Sequence, residues 1–328
     1  MNPGYITGLA QTDGSFFCTL SLSLKHLFGI QFRPKFSITC DLNSINVLEE
    51  IKTYFNCGTI TINVKNHSAE YVVSKISDLI NIIIPHFLNF PLFCAKLHAF
   101  NIFVKIVNAL YNKTHRTLEG RQELLILALS MNESTVRKED RIELLFNKLD
   151  IVEEEDKALI PCTINSIETE LSDDVLAGII DGDGSFYISF GQGGKITTGF
   201  SITNDSLSRP LLELIQTKFE GIGSITEGTK NELVYTVGGI NQILNIVIPF
   251  MDQNPLCSER ASHYESFRKV SLLLKDKHSL TLNDKIELVE LYYNSNKGGK
   301  HRKITKEEYL NNLKNSNSNS NLNSVSLP

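Results

Sequence analysis

Between residues 173 and 190 the spacing of apolar positions changes period. Val175, Leu176, Ile179 and Ile180 recur at helical spacing, whereas Phe186, Ile188 and Phe190 alternate with Tyr187 and Ser189 as on a half-buried strand. The stretch predicts a helix that ends at the Gly-Asp-Gly of 182–184 and feeds directly into a strand. Ser172 is its candidate N-cap and Asp173 and Asp174 its first-turn acids, which bounds a helix of roughly three turns. Gly178 and Gly182 share one face, flat enough for a second backbone to approach closely.

A partner for that face lies near the start of the chain. "ITGLAQTDGSFF" from Ile6 superimposes on "LAGIIDGDGSFY" from Leu176, with Gly8 on Gly178, Thr12 on Gly182, Asp13 on Asp183 and Phe16 on Phe186. The match continues through "FSITCD" from Phe36 and "FSITND" from Phe200, "YVVSKI" from Tyr71 and "YTVGGI" from Tyr235, and "PHFLNFPLFCAK" from Pro85 and "PFMDQNPLCSER" from Pro249. The chain is an internal duplication. Each half reads helix, two-strand hairpin, helix (44–55 and 206–219), two more strands and then helices, an α+β pattern. The halves are placed at 1–149 and 172–310, with a linker at 150–171 and a polar, Asn/Ser-rich tail at 311–328 expected to be disordered.

Charge and composition narrow the classes. The net charge of −5 argues superficially against a nucleic-acid partner. Yet residues 150–174 hold nine carboxylates against one lysine, so the remainder carries a small positive balance, and the acids read as a solvated connector. With 328 residues, 41% of them hydrophobic, the chain suits two ordinary globular domains. The most apolar run, "LINIIIPHFLNFPLF" from Leu79, is broken by Asn81, Pro85, His86 and Asn89, well short of the about 20 residues of a membrane span, so no membrane partner is expected. Six scattered cysteines lack zinc-site or disulfide-scaffold spacing and are expected to be reduced and mostly buried.

Three chemistries could use Asp-Gly-Asp-Gly at a helix end. A calcium-binding EF-hand loop needs Gly at its sixth position and an acid at its twelfth; counted from Asp181 these are Phe186 and Gln192. A phosphotransferase of the haloacid-dehalogenase type would use the first Asp as nucleophile, but the first copy has Gln11 there and the preceding segment is helical by period.

The third class fits. "LAGIIDGDG" (Leu176 to Gly184) and the more degenerate "ITGLAQTDG" (Ile6 to Gly14) resemble the defining motif of the LAGLIDADG homing endonucleases, in their single-chain, two-repeat form. The resemblance implies two pseudo-symmetric αββαββα repeats, with motif helices packed through Gly8, Thr12, Gly178 and Gly182 and two curved antiparallel sheets forming a saddle over double-stranded DNA. It implies a monomeric, site-specific endonuclease that uses Mg²⁺ or Mn²⁺. By the same resemblance Asp13 and Asp183 are metal ligands, assisted by the carbonyls of Thr12 and Gly182. Lys96 and Arg260 match the basic residue beside the scissile phosphate, and Asn204 the polar residue that orients water. Cys40, at the place equivalent to Asn204, departs from the pattern, and Gln11 and Asp181 occupy a place that the family does not use as the primary metal ligand.

DNA contacts are expected from the groove-facing side of the hairpins, at Lys25, His26, Arg33 and Lys35 in the first half and Gln192, Lys195, Thr197 and Thr198 in the second. "KGGKHRK", with Lys300 and Arg302, is expected to grip the phosphate backbone. Two other readings stay open: an RNA maturase that assists splicing of its host intron, and an inactive DNA-binding module. With the first motif at Ile6 no cleaved presequence is expected. The abundance of Asn, Ile, Lys, Leu and Phe without Trp implies an AT-rich coding genome. With the resemblance, that points to an organellar intron, mitochondrial first and chloroplast as the alternative.

Overall fold

The computed structural model describes residues 1–131, 139–151, 158–162, 170–190, 196–229, 231–276, 280–295, 305–311 and 313. By contacts the chain forms two compact units, Met1–Gly182 with Asp205–Leu211, and Asp183–Asn204 with Leu212–Pro328.

The first unit opens with α1 (Pro3–Asp13). Asn2 caps it by accepting the Gly4 N–H at 2.8 Å, and Pro3 presets the first helical turn. Every residue from Gly4 to Gln11 is buried, as befits a helix covered on all sides. β1 (Gly14–Leu22) follows without a loop and pairs antiparallel with β2 (Ile30–Asp41), Phe16 opposite Phe36. Next come α2 (Ile45–Phe55), β3 (Thr59–Asn63) and β4 (Ser68–Val73), completing a sheet in the order β1-β2-β4-β3. On the β1–β2 hairpin the even-numbered residues Phe16, Cys18, Leu20, Ile30, Phe32 and Phe36 are buried, leaving Gln31, Arg33 and Lys35 on the opposite face.

α3 (Ile76–Asp78) runs through a π-helical turn, Leu79–Ile83, into α4 (Ile84–Asn89). The wide turn lies just before Pro85, whose ring would crowd the carbonyl four residues back and which has no N–H to donate. α5 (Cys94–Tyr111), α6 (Leu118–Ser130) and α7 (Glu139–Asn147) close the repeat. Two arginines from these helices hold the hairpin from behind. Arg121, 4% exposed, donates to the Ile30 carbonyl at 2.6 Å and lies 5.8 and 5.7 Å from the Phe28 and Phe32 ring centres, and Arg141 donates to the Leu20 carbonyl at 3.0 Å.

α8 (Asp173–Asp183) is capped by Ser172, whose Oγ accepts the Val175 N–H at 3.4 Å. All but its final residue belongs to the first unit, where α8 packs on α1.

The second unit repeats the plan. β5 (Gly184–Phe190) pairs with β6 (Ile196–Asp205), α9 (Arg209–Lys218) follows, and β7 (Ser224–Glu227) and β8 (Glu232–Val237) complete the order β5-β6-β8-β7. α10 (Ile240–Gln242) again enters a π turn, Ile243–Val247, ahead of Pro249 in α11 (Ile248–Gln253), before α12 (Arg260–Asp276) and α13 (Leu282–Ser295).

The duplication reaches into the cores. Phe16 stacks on Phe36 at 5.0 Å and Phe186 lies over Phe200 at 5.3 Å; Phe55 and Tyr71 stack at 6.2 Å and Phe219 and Tyr235 at 6.3 Å. Gly58 and Gly223 sit at φ +77° and +75°, where a Cβ would also come within 2.7 and 2.9 Å of the Tyr71 and Tyr235 rings. The α+β expectation therefore holds.

Three details differ from the sequence reading. Of the six cysteines, which form no disulfide, only Cys18 and Cys94 are buried; the other four are half-buried, Cys40 near the end of β2 and Cys57, Cys162 and Cys257 outside helices and strands. Ile151 and Leu171, at the two ends of the expected solvated linker, are buried at 3% and 2% exposure, and the Ile160 N–H donates to Ser130 Oγ at 2.9 Å. Leu313, assigned from sequence to the disordered tail, is helical and 7% exposed, its apolar side chain finding cover. Among the described residues no helix is long and apolar enough to cross a membrane.

Candidate active site

The α1–α8 contact follows from glycine. A Cβ on Gly8 would lie 2.2 Å from the Val175 carbonyl oxygen and 2.7 Å from the Gly178 Cα; one on Gly178 would lie 2.2 Å from the Tyr5 carbonyl oxygen. No real Cβ tolerates such distances, so the backbones touch where side chains would separate them. At the far end, a Cβ on Gly182 would meet Thr12 Oγ1 at 1.9 Å and Asp13 Oδ2 at 3.2 Å. The Asp13 carboxylate thus lies against the last turn of α8.

Asp13 is exposed and Asp183 half-buried, and each is the final residue of its helix. A helix C-terminus presents unpaired carbonyls and the negative end of the macrodipole, and neither last turn carries a cation to offset it. Thr12 turns its hydroxyl back to the Leu9 carbonyl at 3.0 Å, away from the carboxylate end. Among the described residues no three His, Cys, Asp or Glu side chains cluster as a metal cage. The donors are carboxylate and main-chain oxygens, a set that fits a hard cation that keeps part of its water shell and completes its coordination with phosphate.

Basic side chains flank both helix ends. Lys96 Nζ donates to the Gly14 carbonyl, and Arg260 Nη1 donates to the Gly184 carbonyl, in each case the residue after the terminal aspartate. On the second strands the repeats part company. Asn204 Nδ2 donates to Asp183 Oδ2 at 3.4 Å, whereas the Cys40 thiol donates to the Ser44 carbonyl at 3.5 Å. Burial, with the negative charges of Asp13 and Asp41, pushes the Cys40 thiol up to about 11, so it is neutral at physiological pH.

The other polar residues of the two motifs do structural work that the sequence does not reveal. Asp181, 3% exposed, accepts the Tyr5 hydroxyl at 2.6 Å. Gln11, 4% exposed, spans both backbone groups of Phe93, accepting its N–H at 2.8 Å and donating to its carbonyl at 3.3 Å. The only local hint was an amide in a position that holds an acid in the other copy.

The expected DNA contacts divide. Lys25 and Arg33 are exposed and Lys35 half-exposed; Arg33 donates to Ser21 Oγ at 2.6 Å, and His26 Nδ1 lies 3.0 Å from Ser23 Oγ. Thr197 is exposed. Thr198 is a correction: as the next residue on β6 it points to the opposite face, is 3% exposed, and is paired with Ser271 Oγ at 3.1 Å. Gln192, Lys195, Lys300 and Arg302 lie outside the described residues. Tyr187, not singled out from sequence, lies across Gly199 opposite it on β6, where a Cβ would fall 2.2 Å from the hydroxyl oxygen.

The family described as LAGLIDADG endonuclease matches residues 6–107 and 176–271, one stretch in each repeat. The chain belongs to the LAGLIDADG endonuclease family. Its relatives include the "Probable intron-encoded endonuclease 2" of Neurospora crassa, 30% identical over 306 residues, covering 89% of this chain and 64% of that protein. The "Probable intron-encoded DNA endonuclease 1" of Mycosarcoma maydis is 25% identical over 260 residues, covering 76% and 92%. Among solved structures, the LAGLIDADG fold recurs in I-SmaMI bound to an uncleaved DNA target in the presence of calcium ions, with a TM-score of 0.79, 25% identity and coverage of 92% and 99%. The chain thus spans nearly all of I-SmaMI but under two thirds of the Neurospora relative.

Proposed function

We propose that the protein is an intron-encoded, site-specific DNA endonuclease. It makes a staggered double-strand break by divalent-metal-dependent hydrolysis of one phosphodiester on each strand. The observation that carries this reading is the carboxylate at the end of each motif helix, with Asp13 Oδ2 set against Gly182 of the helix that ends in Asp183. Asp13, Asp183 and the carbonyls of Thr12 and Gly182 would hold Mg²⁺, which when bound supplies charge neutralisation at the phosphoryl oxygens and a more acidic water. Mn²⁺ suits the same donors. Calcium in the I-SmaMI complex supports a divalent ion; Mg²⁺ follows from the preference of a small hard ion for oxygen and retained water.

The chain's own groups have separable tasks. The Asn204 amide donates to the Asp183 carboxylate and stands beside it as the polar group that orients the attacking water. Lys96 and Arg260 hold positive charge beside Gly14 and Gly184, where it offsets the charge that builds on phosphate as the water oxygen bonds to phosphorus and the bond to the leaving ester oxygen breaks. Lys25, His26, Arg33, Lys35 and Thr197 supply DNA contacts, with base readout from the sheet face and phosphate contacts from the cations. A single chain carries both sites and acts as a monomer on double-stranded DNA. The AT-rich coding bias favours a mitochondrial intron as its origin.

The deciding experiment incubates the protein with a supercoiled plasmid carrying the intronless insertion site. Linear product with Mg²⁺ or Mn²⁺ and none with EDTA is the expected result. Binding without cleavage, combined with faster splicing of the host intron RNA, would make the protein a maturase; binding with neither would make it an inactive module.

A further inference from the structure

The route from α1 to Lys96 passes through a strained backbone. Phe93 is extended (φ −123°, ψ 154°), and Cys94, the first residue of α5, is left-handed at φ +49°. A residue with a Cβ rarely adopts that conformation and keeps it only where its surroundings enforce it. Phe93 offers no side-chain cap to α5. The Gln11 amide instead grips Phe93 by both backbone groups, buried on every side, two residues before the Asp13 that ends its own helix. Two residues after Cys94, Lys96 reaches the Gly14 carbonyl.

We propose that Gln11 is a positioning residue for first-strand cleavage: by clamping Phe93 it enforces the left-handed Cys94 and so aims Lys96 at Gly14 beside Asp13. The amide suits the task because it both accepts and donates. A carboxylate in its place would set a lone pair against the Phe93 carbonyl. The second repeat reaches the same geometry differently. Ser258, the counterpart of Cys94, accepts the Arg260 N–H on its Oγ at 3.1 Å, and the side chain that follows is the longer arginine.

The inference rests on the cleavage reading, so its test has two readouts. In the first, a duplex labelled separately on each strand is cut by wild type, Gln11→Ala, Gln11→Glu, Lys96→Met and the Gln11→Ala/Lys96→Met double variant. Both Gln11 variants are expected to slow one strand by about tenfold or more while the other keeps its rate, since displacements near 1 Å cost rate steeply. Gln11→Ala is expected to add nothing in the Lys96→Met background. Equal slowing of both strands, or additivity with Lys96→Met, would overturn the proposal. The second readout needs neither metal nor DNA. Acylation of Lys96 by an amine-reactive ester, followed by mass spectrometry, should be several-fold faster in Gln11→Ala, with exposed Lys52 and Lys105 unchanged. Unchanged Lys96 reactivity would also overturn it. A wild type inert on its target removes the cleavage reading instead, and the labelling result still decides whether Gln11 positions Lys96.

Discussion

The two helix ends carry the same carboxylate and the same kind of cation, yet the side chains that support them differ. At the first, Asp13 is faced by the neutral thiol of Cys40, and Lys96 is reached through a left-handed residue held by Gln11. At the second, Asp183 accepts from the amide of Asn204, and Arg260 follows a serine cap. After duplication the charge pattern persisted while its supports drifted. Charge at the reacting phosphate acts through distance alone, and several scaffolds can deliver it; a hydrogen bond that orients water needs a particular donor and acceptor. The first site lacks that amide, so the two strands are expected to be cut at different rates, the first repeat's more slowly.

The hardest way to break the comparison is to remove what both sites share. Asp13→Asn and Asp183→Asn should each keep DNA binding and lower double-strand cleavage on the order of 100- to 1000-fold, the scale of losing one electrostatic group aimed at the transition state. Gel-shift affinity beside plasmid linearisation checks this, and a wild-type rate in either variant contradicts the assignment. Gly178→Leu attacks the helix contact that both carboxylates depend on. With its Cβ already 2.2 Å from the Tyr5 carbonyl oxygen, overpacking should cost about 1 to 3 kcal/mol and abolish cutting. Gly238→Ala, with nothing within 4 Å, should melt as wild type does.

A subtler contrast lies in the residue that follows the proline in α4 and in α11. His86 bridges Tyr54 and Thr7 at 3.2 and 3.3 Å, whereas its counterpart Phe250 packs edge-on to Phe219 at 5.3 Å. Burial lowers His86 from 6.5 to about 4. The unfolded chain therefore takes up a proton near pH 6.5 that the folded chain refuses until about pH 4. Stability contributed by His86 is full above pH 6.5 and falls between 6.5 and 4, by up to about 3 kcal/mol. Melts across that range should show the loss, and His86→Phe, which copies the second repeat, should flatten the slope even if it lowers the plateau. The smallest effect expected on cleavage is from Cys40→Asn, which imports the second site's amide. It should speed first-strand cleavage by about fivefold, the worth of one hydrogen bond. Strand-resolved rates check it, and an Asn204→Cys variant that leaves its own strand unaffected would remove the explanation.

What the sequence made legible was local. The change of period at Gly182–Gly184, the Ser172 cap and the glycine face of α8 are short-range patterns, and α8 runs from Asp173 to Asp183 with Ser172 at its start. The paired repeats were equally plain, because the duplication preserved core aromatics in register. Side-chain direction was legible only in part. Thr197 and Thr198 are consecutive on one strand, so alternation allows only one of them to face the groove, and Thr198 shares its face with the buried Ile196, Phe200 and Ile202. Gln11 resisted altogether: its partner Phe93 is distant in sequence, and nothing near Gln11 marks it as a clamp. The thiol at Cys40 was visible as a departure, but its upward shift needed burial and the neighbouring carboxylates to be known.

Arg121 and Arg141 give the first hairpin an unusual independence. They hold the Ile30 and Leu20 carbonyls, main-chain atoms that every residue type possesses, so the grip is indifferent to which side chains the strands carry. Gln31, Arg33 and Lys35 on the opposite face can then be exchanged without loosening the backbone beneath them. That separates the scaffold from the residues it presents. New contacts can be tried one substitution at a time, while the strands that present them stay where they are.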